Sequence, residues 1–433
     1  METGIRQRLL ALNPWMIQAD RYGQEVERRL PRTFIPRNLD ISDFHDTTRA
    51  KLVVGPRQAG KSTLVWSSLR DRDPRTVLFL NAEETLVRRW CTSASAMVRG
   101  LEEELPSVRT LFIDEAQHLD EAGLVVKGLV DARRDLDIIV TGSSSFHLMA
   151  RTRESLAGRA IRRVLLPLSI GEIVSHRAPA TPAARRELAI ETSRKLMVQG
   201  GYPGVWTSSS PARLLSDLME AYVYRDASDL FRIRRPDAFR RLLQLAAGQV
   251  GQMVNLSEWA SILGVSASTV RQYLEILEET WVVRLLPAFA GGRRAEITSA
   301  ARVHFYDPGL RNAVLGAFDD PATRPDRGPL LEALSFSEIV KVLPTSWSLH
   351  YWRSKGGAEM DFVLAHGRRI VAIEVKSRPR TTRSSRSFIE AYEPEHLLLV
   401  TSDDLSSTPA ALGNTRILTV PVTDLATTLA SVL

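Results

Sequence analysis

The chain has 433 residues, which at roughly 100–200 residues per domain suggests several domains. Hydrophobic residues make up 44% and charged residues 25%, and this composition excludes disorder as the main state and excludes collagen-like folds. The single cysteine, Cys91, excludes an internal disulfide and favours a reducing compartment, so we expect a cytoplasmic protein. The net charge of +7 is compatible with nucleic acid, and no apolar run approaches the ~18 residues of a membrane span.

The elements predicted in chain order fall into five segments. The first is mostly helical and rich in arginine. Apolar strand runs then alternate with helices, and this alternation predicts an α/β fold in which a parallel sheet carries helices on both faces. A helical segment that could form a lid comes next, followed by a winged-helix-like segment and a second α/β region. The predicted boundaries are 1–45, 46–172, 173–245, 246–300 and 301–433.

The most specific motif follows the first predicted strand. Residues 55–62 fit the pattern G-x-x-x-x-G-K-[ST] of a phosphate-binding loop, although an ordinary glycine turn before a helix is the alternative. In such a loop Lys61 reaches the β- and γ-phosphates, and the Ser62 hydroxyl ligates Mg²⁺. We therefore predict ATP and Mg²⁺ as ligands. The predicted nucleotide-binding residues are Gly55, Pro56, Arg57, Gln58, Ala59, Gly60, Lys61, Ser62 and Thr63.

Polar residues at the ends of later strands complete this interpretation. Asp114 ends the strand run LFID and is expected to hold Mg²⁺, and Glu115 is placed to polarise the attacking water; the alternative is two solvated acids. Ser143 in VTGSSS is expected to lie beside the γ-phosphate, unless this run is a turn or a helix N-cap. Arg159 is predicted to stabilise transferred phosphate charge, within the chain or across a subunit contact, unless it is simply solvated.

Residues 256–283 predict a helix-turn-helix with a strand-like wing. Gly264 ends the first helix, and Ser266 caps the second, predicted over 267–279. Three glutamates on that helix would repel phosphate, so a structural lid is the alternative to DNA contact. The side chains available for a DNA groove are Ser268, Thr269, Arg271 and Gln272.

A basic stripe lies just upstream of the helix-turn-helix. Such a stripe is able to follow a phosphate backbone, although a solvated or subunit-facing helix surface is the alternative. It consists of Arg225, Arg232, Arg234, Arg235, Arg240 and Arg241.

Acids and a lysine in the last segment form a second pattern. Asp361 lies on one predicted strand and Glu374 and Lys376 on the next, and alternation places the last two on one face. The spacing D-x(n)-E-x-K resembles that of PD-(D/E)XK nucleases. In that interpretation Glu332, on the preceding helix, joins Asp361 and Glu374 as Mg²⁺ ligands, and Lys376 orients water or stabilises phosphorane charge. The alternatives are a surface salt bridge and a nuclease-like fold that does not cut.

Several motifs taken together resemble one family over nearly the whole chain. They are GPRQAGKSTL, LFIDEAQ, TGSSS, SLAGR, LPLSIGE, GGYPGV, VHFYDPGLRNAVLG, HYWRSKGGAEMDFVL and IVAIEVKS. The chain is similar to bacterial and archaeal AAA+ ATPases related to STAND-type ATPases, whose members usually carry a C-terminal domain of unknown function. The resemblance implies a P-loop NTPase fold, and it makes a homo-oligomer plausible because AAA+ sites often lie at subunit interfaces.

These observations predict an ATP-hydrolysing enzyme that acts on DNA. Mg²⁺-dependent ATP hydrolysis would be coupled to DNA binding, remodelling or cleavage through the nuclease-like domain. The alternative is an ATP-controlled signalling switch with a C-terminal interaction module that does not cut. A DNA-binding regulator without cleavage is a third possibility.

Overall fold

The computed structural model describes most of the chain. The described residues are 2–39, 46–133, 135–143, 156, 158–221, 233–289, 291, 300–376, 380–402 and 410–433. The chain divides into two compact units, Met1–Leu166 and Pro167–Leu433. Among the described helices, none combines the length and the apolar composition that crossing a membrane requires.

A five-stranded parallel sheet forms the centre of the first unit. Its strands are β1 (Ala50–Val54), β2 (Val77–Asn81), β3 (Thr110–Asp114), β4 (Asp137–Gly142) and β5 (Ala160–Val164). The strand order is β2-β3-β4-β1-β5, and every neighbouring pair is parallel. All five residues of β1 are buried, as expected for a central strand covered on both faces, and the buried Lys51 pairs with Asp137. The predicted α/β architecture is therefore confirmed.

Helices cover the sheet of the first unit. They are Thr3–Leu12, Arg21–Arg29, Lys61–Leu69, Thr85–Trp90, Ala94–Glu104 and Ala122–Ala132, with short 3-10 helices at Pro14–Met16, Pro74–Thr76 and Ala116–His118. The N-terminal helices pack on the sheet, because Trp15 is fully buried against Trp66 and its indole Nε1 donates to the carbonyl of Val77 at 3.0 Å. The segment predicted as separate over 1–45 thus contributes to the core of this unit.

The second unit begins with helices and contains the predicted winged helix. Its helices are Ile170–Arg177, Pro182–Gln199, Pro203–Trp206, Pro211–Leu218, Pro236–Gly248, Leu256–Leu263, Ala267–Glu279, Pro308–Leu315, Arg327–Val342, Arg383–Tyr392 and Leu425–Val432, with a 3-10 helix at Val422–Asp424. Gly264, with φ of 63°, ends the first helix of the helix-turn-helix, and the Ser266 hydroxyl accepts from the N–H of Thr269 at 3.1 Å. The wing is the antiparallel pair β6 (Val283–Leu286) and β7 (Arg302–Phe305).

A six-stranded mixed sheet ends the chain. Its strands are β8 (Ser348–Arg353), β9 (Glu359–His366), β10 (Arg369–Val375), β11 (His396–Thr401), β12 (Ala410–Leu412) and β13 (Thr415–Pro421). The order is β12-β13-β11-β10-β9-β8. The strands β8, β9 and β10 form an antiparallel meander, whereas β11 is parallel to both β10 and β13. This sheet places Asp361 and Glu374 on neighbouring strands, as predicted.

Candidate active site

The phosphate loop leaves the carboxyl end of β1 and runs into the helix Lys61–Leu69. Gly55 has a φ of 147°, and a Cβ at this position would overlap the carbonyl oxygen of Leu165. Gly60 has a φ of 94° and directs the chain into the helix. Residues other than glycine rarely adopt such φ angles, so the backbone conformation of the loop requires glycine at both positions. The helix N-terminus, with its partial positive charge, therefore adjoins the loop.

Lys61 is the buried cation of the loop. Its side chain is 4% exposed, and its Nζ donates to the carbonyl oxygens of Gly55 at 3.1 Å and Pro56 at 2.9 Å. Burial lowers the pKa of Lys61, while the carboxylates of Glu115 and Asp114 oppose that effect. A polyanion bound in the loop would supply the negative charge that a buried ammonium lacks.

Asp114 connects the loop to the neighbouring strands. Its Oδ1 accepts a hydrogen bond from the Ser62 hydroxyl at 2.7 Å and another from the Thr141 hydroxyl. Burial raises the pKa of Asp114, and these two hydroxyl donors lower it in part. The paired hydroxyl and carboxylate oxygens are the hard ligands that Mg²⁺ prefers, so the residues fit this ion.

Glu115 follows Asp114 in an unusual backbone conformation. Its φ is 54°, which is uncommon for a residue other than glycine, and its N–H donates to Thr141 Oγ1 at 3.2 Å. Its carboxylate accepts from the Nε2 of Gln117. Ser143 lies at the end of β4, with a buried hydroxyl that has no hydrogen-bond partner among the described residues. The structure therefore gathers Lys61, Ser62, Asp114, Glu115 and Ser143 at the carboxyl edge of one sheet.

Two of the other predicted loop residues differ in exposure, and the sequence interpretation missed three supporting side chains. Arg57 is half-buried and Gln58 is exposed with a φ of 59°. The missed residues are Thr141 and Gln117, described above, and Arg37, whose Nη1 donates to the carbonyl of Ala59 at 2.7 Å. Thr141 sits beside the predicted Ser143 in VTGSSS, which was the available signal; no local pattern indicates the partners of Gln117 and Arg37.

Arg159 is not brought to the phosphate loop of its own chain. Its carbonyl accepts a hydrogen bond from the N–H of Ala50, the first residue of β1, at 2.8 Å. Arg159 therefore lies at the amino edge of the parallel sheet, a strand length of roughly 15 Å from the loop. Its Nε pairs with Asp131 at 2.6 Å. The predicted role within the chain is corrected on this ground, and a role across a subunit contact stays a prediction.

The predicted nuclease-like residues lie together in the second unit. The pairing of β9 with β10 places Asp361 opposite Glu374, one step beyond the paired residues Phe362 and Ile373. Asp361 Oδ2 accepts from the N–H of Val375 at 2.8 Å. Lys376 Nζ lies 3.1 Å from Glu374 Oε1. Burial lowers the pKa of Lys376, but the attraction of the nearby carboxylates outweighs burial and leaves it raised.

The carboxylates of this cluster have different partners. Glu374 is 1% exposed and accepts from the hydroxyls of Thr382, at 3.0 Å, and Ser385. Glu332 Oε1 has no hydrogen-bond partner among the described residues, and burial, with the charge of Asp361, raises the pKa of Glu332 to about 8. Within the described part of the chain, no group of three or more histidine, cysteine, aspartate or glutamate side chains is arranged to hold a metal ion. The four residues are therefore neighbours, and a role of Glu332, Asp361 and Glu374 as Mg²⁺ ligands stays a prediction.

The helix-turn-helix borders a polar cleft with a volume of about 540 Å³. Arg234 makes no hydrogen bond or ion pair with the described residues, whereas Arg240 pairs with Glu220 at 3.1 Å. Arg225 and Arg232, also in the predicted stripe, lie outside the described residues. Residues that line the cleft include Arg234, Arg235, Ser266, Thr269 and Gln272.

One of the three glutamates that would repel phosphate is half-buried and hydrogen-bonded within the fold. Glu278 Oε1 accepts from the N–H of Leu285 in the wing at 2.7 Å, and burial raises the pKa of Glu278. Its carboxylate therefore serves the fold of the winged helix, and it opposes phosphate less than the sequence alone indicates.

Comparison with known families agrees with the geometry of the first unit. Residues 47–174 match a family model described as an AAA domain. Together with the parallel sheet and the loop, this match defines a P-loop NTPase fold, and the AAA domain supports nucleotide-dependent, ATPase-like activity. Residues 190–321 and 327–421 match two models described as domains of unknown function, DUF8612 and DUF4143.

Proteins similar to most of this chain occur in bacteria and archaea. An uncharacterized protein of Mycobacterium tuberculosis is 29% identical over 86% of this chain and 82% of its own length. An uncharacterized protein of Haemophilus influenzae is 23% identical over 83% of this chain and 91% of its own length. An uncharacterized protein of Methanocaldococcus jannaschii is 23% identical over 82% of this chain and 80% of its own length. Each of these alignments therefore spans most of this chain and most of the relative.

Solved structures show weaker likeness. AMPPCP-bound DnaA from Aquifex aeolicus is 15% identical, with a TM-score of 0.24, over 55% of this chain and 85% of its own. Hsp104 of S. cerevisiae in complex with casein is 14% identical, with a TM-score of 0.28, over 60% of this chain and 52% of its own. Because both TM-scores are low, the fold assignment depends on the AAA match and on the loop itself.

Proposed function

We propose that the first unit hydrolyses ATP with Mg²⁺. The observation that carries this proposal is the contact of Ser62 with Asp114 beside the buried Lys61, with Glu115 next in the chain. The backbone of the loop and Lys61 would bind the phosphates, and Ser62 and Asp114 would hold Mg²⁺, which neutralises phosphate charge when bound. Glu115 would accept the proton of the attacking water.

The test is ATP turnover by the full chain with Lys61→Ala. We expect turnover to fall by ~100-fold or more, the order seen when one charge-stabilising donor is removed from an active site. Lys127→Ala is the matched control, because Lys127 is a half-buried lysine on another helix of the same unit, Ala122–Ala132. Phosphate release unchanged in Lys61→Ala would rule out this site assignment.

We propose that DNA binds at the cleft beside the helix-turn-helix, so that ATP hydrolysis controls an action on DNA. The support is Arg234, an arginine without a protein partner among the described residues, which lines the same cleft as the N-terminal residues of the helix Ala267–Glu279. A guanidinium group and a helix N-terminus both attract phosphate. We expect Arg234→Ala to weaken DNA binding and to reduce its salt dependence, whereas the control Arg213→Ala, 85% exposed on another helix, should change neither. Equal binding by the two variants would contradict this contact.

Cleavage of that DNA by the C-terminal cluster is the finer part of the proposal. Its support is that Glu332, Asp361, Glu374 and Lys376 lie together. Linear, single-stranded and branched DNA would be incubated with Mg²⁺ or Mn²⁺, with and without ATP. Cutting that is lost in Asp361→Asn and in Lys376→Ala would establish a nuclease, and DNA left intact by the wild-type chain would remove cleavage from the proposal.

The second candidate function is an ATP-controlled switch whose C-terminal domain does not cut. The observation that favours it is that both oxygens of Glu374 are engaged by protein hydroxyls, a state suited to a structural carboxylate. In this case we expect ATP turnover without DNA binding or cleavage. Salt-sensitive DNA binding would exclude this candidate.

A homo-oligomer is part of both candidates. Arg159 lies far from its own loop and is 38% exposed, so it is available to the loop of a neighbouring copy. We expect ATP to increase the sedimentation coefficient of the chain. A monomer at all ATP concentrations would contradict this part of the proposal.

A further inference from the structure

Gln117 bridges two strands at the proposed ATPase site. It lies in the 3-10 turn Ala116–His118, directly after Glu115, and is 6% exposed. Its Oε1 accepts from the N–H of Ser143 at 3.1 Å, and its Nε2 donates to Oε2 of Glu115. A backbone N–H only donates and a carboxylate only accepts, so the two partners determine the orientation of the amide.

The backbone of Glu115 depends on the same neighbouring strand. Its N–H bonds to Thr141, the residue before the end of β4, and its φ of 54° is uncommon for a residue with a side chain. Such a conformation persists only where surrounding contacts over-determine it. The end of β4 therefore fixes the position of Glu115 in two ways. Thr141 holds its main chain directly, and Ser143 holds its carboxylate through Gln117.

We propose that Gln117 is a positioning residue that holds the carboxylate of Glu115 in register with Ser143. This inference rests on the proposed ATPase function. A nucleotide that contacts the end of β4 would move the Ser143 N–H and, through the amide, the group that accepts the proton of the attacking water. The bridge thereby makes hydrolysis depend on correct nucleotide occupancy.

Two substitutions separate the arms of the bridge. Gln117→Glu retains an oxygen for the Ser143 N–H but removes the donor to Glu115, and Gln117→Met removes both hydrogen bonds at a similar length. We expect both to lower kcat by about 10–100-fold, the range found when a side chain that orients a metal ligand is removed. The KM for ATP and the affinity for ADP should change less than about twofold, because the phosphate contacts are unchanged.

Controls and a double variant complete the experiment. Gln24→Glu, at an exposed position on the helix Arg21–Arg29, should behave like the wild type. In the Glu115→Gln background, Gln117→Met should add little further loss, because the group it positions has been removed. Glu115→Gln therefore serves as the reference for the full loss.

The outcomes are distinguishable. Loss of turnover in Glu115→Gln with normal kcat in both Gln117 variants would overturn the positioning role while leaving the ATPase proposal in place. A parallel loss of ADP affinity and of thermal stability would show that Gln117 only supports the fold, and would also overturn it. A wild-type chain that does not hydrolyse ATP would contradict the proposed function and the positioning role together.

Discussion

Thr141 shows how much of the site depends on residues to which the sequence pattern assigned no role. Its hydroxyl donates to Oδ1 of Asp114 and accepts from the N–H of Glu115, so it holds both acids that follow β3. A hydroxyl with one donor proton and free lone pairs is able to do both at once. No apolar side chain of the same shape has this capacity.

We expect Thr141→Val to lower ATP turnover by about 10–100-fold, as loss of an orienting partner commonly does. The shape of the core is retained, but Asp114 loses a donor and the Glu115 N–H loses its acceptor. Steady-state kinetics measures the effect, and Thr92→Val, exposed in the same unit, is the control. Turnover within twofold of the wild type would show that the hydroxyl is dispensable.

The phosphate loop was predictable from sequence because its residues are adjacent in the chain and each has a chemical reason for its position. Lys61 and Ser62 belong to one short segment, residues 55–62. The backbone conformation at position 55 requires glycine. Thr141 was not predicted because both of its partners follow another strand, and Gln117 was not predicted because one of its two partners, Ser143, does; these partners are more than twenty residues away in the chain. Only the packing of β3 beside β4 brings them together.

The parallel direction of the strands explains why Arg159 does not reach the phosphate loop of its own chain. Alternating strand and helix patterns predicted the types of element in the first unit, but not the order β2-β3-β4-β1-β5. In a parallel sheet all carboxyl ends share one edge, so a residue that precedes a strand lies at the opposite edge. Arg159 precedes β5 and is therefore separated from the loop.

In the second unit, the hydroxyls before and within the helix Arg383–Tyr392 engage Glu374, a contact that the nuclease-like pattern does not contain.

A carboxylate clamp precedes the helix Arg327–Val342. Hydrogen bonds from Arg324, at 2.8 Å, lower the pKa of Asp326, and a bond from Arg311, at 2.7 Å, adds to the effect. The two arginine side chains are 5% and 4% exposed. Removing the carboxylate would leave two buried positive charges without compensation.

We expect Asp326→Asn to destabilise this region by about 3 kcal/mol at neutral pH. The ordinary pKa of 3.8 describes Asp326 in the unfolded chain, and its folded pKa is lower, so the unfolded state takes up the proton first as pH falls. The advantage of the wild type should therefore be full above about pH 5 and shrink below about pH 4. Hydrogen exchange of the helix Arg327–Val342 measures this, with the exposed Asp319→Asn as control. A difference that stays constant down to pH 3 would contradict the clamp.

At the scale of the whole molecule, the chain combines an ATPase-type unit with a unit that carries the winged helix and the mixed sheet. The length of 433 residues predicted more than one domain, since it exceeds one ordinary core, and the bounds of the five predicted segments stay predictions. The biological target was not predictable, because a net charge of +7 allows DNA without requiring it. Function therefore has to be argued from the sites, and the ATP site has the most specific residues.

The measurement that tests the central claim most directly is ATP binding and phosphate release by the full chain, with Mg²⁺ and with EDTA, for the wild type and Glu115→Gln. We predict Mg²⁺-dependent turnover by the wild type. Glu115→Gln should bind ATP as tightly as the wild type but release phosphate at least ~100-fold more slowly, because it retains the loop and loses the proton acceptor. Undiminished phosphate release by Glu115→Gln, or a wild-type chain that does not bind ATP, would contradict the account.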